Sequence, residues 1–156
     1  MKNSKLFSRI SYVFTFLLLA SISAACSNST SGEEEEQEPV GFVIYEGDNE
    51  LVSQNIRGEV TGSITVESTS SAGLRIAFID EAAEVFTPEK DEHSLQFQTT
   101  DGDGSISIAQ DNASEPFLFT VTGESAGSAT FTFQLLHVGS PEFESAAISV
   151  TVTSSN

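Results

Sequence analysis

The stretch SATFTFQLL at residues 128–136 decides the fold. Phe131, Phe133 and Leu135 alternate with Thr130, Thr132 and Gln134. An extended chain turns successive side chains to opposite sides, so three large apolar groups share one face and three polar groups the other. A helix would scatter the same residues around its axis. The stretch therefore predicts a strand with one buried face, and such a face needs a second layer to cover it.

Working outward, the same period of two recurs. Leu74, Ile76 and Phe78 alternate with Arg75, Ala77 and Ile79, and Leu95 and Phe97 alternate with Gln96 and Gln98. Ile106 and Ile108, then Phe117, Phe119 and Val121, and finally Ile148, Val150 and Val152 continue the pattern, with residues 40–45 and 63–67 ahead of them. Turn chemistry separates the runs at Gly47-Asp48-Asn49, Asp101-Gly102-Asp103-Gly104, residues 123–127 and Gly139-Ser140-Pro141. The Asp101 turn is expected to be a tight hairpin, and residues 81–84 an isolated helical turn at most. Seven to eight short strands over residues 39–156 predict an all-β domain, an antiparallel two-sheet sandwich, with a small open barrel as the structural alternative. With one cysteine in the chain an internal disulfide is impossible. Tryptophan is absent, but nine phenylalanines beyond residue 40 can fill a small core without bringing in a polar atom.

The first forty residues read as an address. A short basic segment (Lys2, Lys5, Arg9) precedes an apolar run of 13 residues, 10–22, where a membrane-spanning helix needs about 20. That suits a cleaved signal peptide over residues 1–25. Ser23, Ala24 and Ala25 then lead into Cys26. Residues 22–26 resemble a bacterial lipobox, which implies a diacylglyceryl thioether and an N-acyl chain, such as palmitate, on Cys26. Ser23 stands where the family usually has Leu. Ser23 and Ala25 would also satisfy an ordinary signal peptidase, which would release a secreted protein with a free thiol. Position, flanks and uniqueness of the cysteine favour the lipid. Residues 27–38 (SNSTSGEEEEQE) contain no apolar side chain, so burial cannot order them. With Cys26 they form an acidic, disordered tether over residues 26–38 whose four consecutive glutamates repel and extend it. Acidic residues soon after a lipid cysteine are similar to surface-export signals of Bacteroidota lipoproteins, and Ser27 resembles the pattern that permits transfer to an outer membrane, both of which imply a two-membraned bacterium.

The segment at residues 126–132 (AGSATFT) resembles the opening of a late strand in bacterial Ig-like domains of group 2, the intimin/invasin type. The closing run at residues 148–153 resembles that family's final strand. Phe78-Ile79-Asp80, a polar turn and Val85-Phe86-Thr87-Pro88 resemble its early D-x-x-G hairpin, although the glycine and a frequent core tryptophan are missing here. The resemblance implies an Ig-like β-sandwich used at cell surfaces for adhesion, spacing or ligand presentation, and it implies no chemistry.

Charge and side-chain inventory narrow the function. The chain holds 23 acidic residues against 6 basic ones, and three of the bases lie before the apolar run. So negative a field disfavours nucleic acid and anionic lipid headgroups as partners. His93, in the charged turn of residues 89–92, is expected to face solvent. His137 shares parity with Phe131, Phe133 and Leu135 and is expected to cap that strand as a partly buried structural histidine. Two histidines this far apart in sequence, with a lipidated cysteine, make no zinc or copper set and no hydrolase triad. No catalytic residue and no cofactor is expected, and the protein is not read as an enzyme. Asp101 and Asp103 resemble the first half of a calcium loop, the further ligands being absent from the sequence unless acids such as Asp111 supply them in space. Ile79, Leu118 and Leu136 lie off the core parity of their strands and are candidates for an exposed apolar patch.

The favoured reading is a lipid-anchored module of the bacterial cell envelope that binds or presents a protein or glycan partner. A spacer lipoprotein without a dedicated ligand, or a calcium-dependent binding module, is the alternative. From residue 39 onward 18 acids face 3 bases. Folding crowds these like charges, and screening relieves the crowding, since the Debye length falls from about 8 Å at 0.15 M to about 3 Å at 1 M salt. Sodium and potassium chloride should therefore raise the melting temperature alike, with only a small further rise from calcium at matched ionic strength.

Overall fold

Alternation in sequence becomes alternation of burial, strand by strand. The computed structural model describes residues 37–102, 104–110 and 112–155, so the signal peptide, Cys26, most of the tether, Asp103 and Asp111 lie outside the described residues. The rest carries twelve strands: β1 (Gly41–Glu46), β2 (Asn49–Gln54), β3 (Val60–Gly62), β4 (Ile64–Glu67), β5 (Ser71–Ile79), β6 (Val85–Phe86), β7 (His93–Asp101), β8 (Ile106–Ala109), β9 (Leu118–Gly123), β10 (Gly127–His137), β11 (Ser140–Glu144) and β12 (Ile148–Thr153). Seven to eight strands were too few. The extra ones are pieces such as β3 and β6, of three and two residues, too short to display a period.

Two sheets form the sandwich. The first runs β3-β2-β1-β5-β9-β8, with β6 also on β5. In the second, β10 is the spine, pairing β7 along one edge and β12, then β11, along the other. Every ladder is antiparallel except β12 with β4, which is parallel and corrects the all-antiparallel expectation. β10 runs alternately buried and half-buried from Ala129 to Leu135, as its sequence requires.

The inner faces meet through phenylalanine. Phe133 of the second sheet lies edge-on to Phe42 of the first at 5.0 Å between ring centroids, and to Phe78 at 6.1 Å. Phe97 and Phe143 pack beside the same ring at 6.2 and 6.0 Å. Such edge-to-face contacts set the negative ring face against the positive edge of a neighbour, a gain beyond area burial. Phe42, Phe78, Phe131 and Phe133 are all fully buried.

Where the edge of β10 passes from β11 to β12, Phe133 would lose its ladder partners. Ser145 replaces them: its hydroxyl oxygen accepts the Phe133 N–H at 2.9 Å, and its own N–H donates to the Phe133 carbonyl at 2.9 Å. Next to it, Ala146 N–H donates to Gln54 Oε1 at 2.7 Å, a polar tie between the sheets. Ser145 and Gln54 are the buried polar residues of the described chain, and both are satisfied.

The turn at Asp101 is not a hairpin. β7 belongs to the second sheet and β8 to the first, so the segment crosses between layers. Gly102 (φ 70°) passes so close to β10 that a Cβ there would collide with the Ser128 backbone. The β9–β10 connection makes the return crossing beside it, with Glu124 N–H donating to the Ser105 carbonyl at 2.8 Å. At residues 81–84 no helix forms. Ala83 N–H donates to the Asp80 carbonyl at 3.0 Å and Glu84 N–H to Asp80 Oδ1 at 2.9 Å, closing a hairpin between β5 and β6. Ala83 sits at φ 62°, in the left-handed region, at the turn of this hairpin.

Phe133→Ala removes the ring on which four others converge. We expect a loss of about 3–5 kcal/mol in urea unfolding, a large share of the stability of a domain this size. An unchanged unfolding midpoint would show that this ring does not hold the sheets together.

Candidate functional site

β10 delivers His137 to the end of the sandwich. β7 pairs with β10 in a register that sets Phe97 against Phe133, Leu95 against Leu135 and His93 directly against His137. The two imidazoles stack at 4.6 Å between centroids with 11° between planes. The histidines read as isolated in sequence are thus cross-strand partners, 44 residues apart and brought together by ladder register alone. His93 also departs from its solvent-facing expectation, for its side chain is only 12 % exposed. His137, at 30 %, caps the strand as its parity required.

β11 brings the carboxylate. Leu135 faces Phe143 and Leu136 faces Pro141, so Glu142 is the extra residue of a β-bulge. Pro141 has no N–H to offer the ladder, and a bulge is where a strand tolerates that and re-aims a side chain. Glu142 Oε2 stands 3.2 Å from His93 Nε2. On the other side Glu92 Oε2 stands 3.3 Å from His137 Nε2.

The turn ahead of β7 locks His93. The Glu89 carbonyl accepts the His93 backbone N–H at 3.1 Å and is 2.8 Å from His93 Nδ1. Val138 N–H donates to the Glu92 carbonyl at 2.8 Å, tying this turn to the β10–β11 hairpin. Lys90, the one base nearby in sequence, points to Glu115 at 3.8 Å, an exposed pair. Acidic side chains therefore surround the two rings.

The calcium candidates gain nothing comparable. Asp101 is exposed, and its Oδ1 accepts the N–H of neighbouring Gly102 at 2.9 Å, a local turn contact. Of the patch candidates, Leu118 is exposed at 43 %, whereas Ile79 and Leu136 are half-buried. Leu118 faces Arg75 across the ladder, and Arg75 faces Tyr45 on its other side with its guanidinium 4.4 Å from the ring centroid. Beside this row Gly73 leaves an open depression of about 460 Å³, bordered by Gly47, Arg75, Asn112, Leu118 and Thr120.

No family model matches the chain, and no curated protein matches it. Among solved structures it is similar to the surface layer protein SbsC, domains 1–6, at 15 % identity and a TM-score of 0.45. That match covers 62 % of this chain and 12 % of the other. SbsC domains 4 and 5 match at 12 % identity and a TM-score of 0.43, covering 65 % of this chain and 63 % of that one.

The hairpin tip beside the histidines is strained. Val138 (φ 49°) and Gly139 (φ 81°) both occupy the left-handed region that a two-residue hairpin turn demands. A β-branched residue pays for that conformation, and Val138 is 77 % exposed, so no burial compensates. Val138→Asn should therefore stabilise the domain by about 1 kcal/mol in thermal or urea unfolding, with the ring signals of His93 and His137 unmoved in NMR spectra.

Proposed function

We propose that the chain is a lipid-anchored, Ig-like module of the bacterial cell envelope that binds or presents a macromolecular partner and performs no chemistry itself. The observation that carries this reading is the lone Cys26, set after a 13-residue apolar run and small residues and followed by an uncharged-to-acidic polar stretch. A multiply acylated cysteine holds a protein on a membrane because each buried methylene contributes about 0.8 kcal/mol. A self-repelling tether then extends away from the anionic surface.

Binding is preferred to spacing because of the outer face of the first sheet. There Leu118, 43 % exposed, stands beside the open depression over Gly73, a concave surface with an apolar rim on which a partner can seat. Tyr45 and Arg75 add a planar, cation-bearing surface of the kind enriched in recognition sites. A protein or glycan fits this chemistry, and nucleic acid does not fit the charge.

Cys26→Ala tests the anchor. The variant should lose incorporation of labelled palmitate and leave the detergent phase on partitioning; retained labelling and partitioning would sink the lipid assignment. For the binding face, the chain should capture an envelope partner that Leu118→Asp with Arg75→Glu no longer retains.

A further inference from the structure

We propose that His93, His137 and Glu142 form a binding site for a divalent transition metal of the zinc class, which staples β7, β10 and β11 together at one end of the sandwich. One ligand atom from each of the three residues lies within 4.8 Å of the others. In a tetrahedral zinc site with metal–ligand bonds of about 2.0–2.2 Å, ligand atoms stand roughly 3.3–3.6 Å apart. His93 Nε2 and Glu142 Oε2 already stand at 3.2 Å, and the two stacked imidazoles, 11° from parallel, have to turn about their side-chain bonds for both to point a nitrogen at one ion.

The hydrogen bonding of His93 points the same way. A carbonyl oxygen only accepts, so the 2.8 Å contact with Glu89 places the hydrogen on Nδ1. Nε2 is then the ring nitrogen that faces the Glu142 carboxylate, at 3.2 Å, and the two can take one cation between them. An imidazole that donates one nitrogen to a backbone carbonyl and offers the other to a metal is the usual arrangement of a ligating histidine. It fixes both tautomer and ring plane.

Surroundings and ligand type select the ion. Imidazole paired with one carboxylate suits zinc, copper or nickel, whereas calcium seeks six or more oxygens. Glu92 beside His137 and the acidic turn before β7 lend a negative field that draws in cations. Three protein ligands leave one tetrahedral position to water or to a donor from outside the chain.

The test uses the full chain in mild detergent, stripped with a chelator and titrated with zinc chloride. We expect one zinc per chain by elemental analysis, and movement of the ring nitrogen signals of both His93 and His137 in nitrogen-15 histidine spectra. Saturation at about a hundredfold excess over Kd should raise the melting temperature by about 10 °C. His137→Ala and Glu142→Gln should each weaken binding at least about tenfold. Glu144→Gln, an exposed carboxylate on the same strand, should not. Circular dichroism checks that each variant folds, and the histidine spectra of the parent chain decide the matter even where one does not. Unmoved ring signals, with zinc held instead by Cys26 or the tether, would overturn the proposal. So would failure to saturate below about 1 mM zinc, or equal affinity in His137→Ala and the parent.

Discussion

The structure depends on the contact between Phe133 and Phe42. It is the point at which the spine of one sheet meets a central strand of the other, and Phe78, Phe97 and Phe143 gather around it. A sandwich of this size has no disulfide and no tryptophan to fall back on. Its stability is the surplus of apolar burial over chain entropy, and that surplus is small enough for one ring to matter. Phe133 also sits where β10 exchanges one edge partner for another. Ser145 and Gln54 therefore have a double role: they satisfy backbone groups beside this central ring, and they fix where the chain re-enters the second sheet.

The same spine explains why histidine and carboxylate side chains collect at its far end. β10 is long enough to keep β7 in register to the last residue, so the side chains opposite its terminus are decided by pairing begun at Phe131. A slip of one residue would send every side chain of β7 to the other face, which the apolar core forbids. His93 meets His137 because Leu95 must meet Leu135. The Pro141 bulge then aims Glu142 across the ladder, and the strained Val138–Gly139 turn holds the hairpin close to the turn before β7. Tolerating a β-branched residue at positive φ in so exposed a place shows that this tip is shaped by the contacts around it.

Two surfaces thus stand apart in character. The outer face of the first sheet around Leu118, Arg75 and Tyr45 is apolar and aromatic with an isolated cation, while the histidine end of the second sheet is ringed by carboxylates. Acidic side chains outnumber bases so heavily that like-charge repulsion is a property of the whole surface, and the two remaining arginines and Lys90 cannot offset it.

What the sequence by itself determined is the all-β class, the two-layer core and the identity of most inward residues. Each of these follows from the two-residue period of an extended chain, which needs no knowledge of partners. Phe131, Phe133, Leu135, Leu74, Ile76, Phe78, Ile148, Val150 and Val152 are all buried as their parity required. Periodicity is silent, however, about which strand lies beside which. The crossing at Asp101 therefore read as a hairpin, the parallel pairing of β12 with β4 went unseen, and His93 and His137 stood 44 residues apart with nothing to join them. Their meeting is a matter of register, and register is decided only when two faces close over one core.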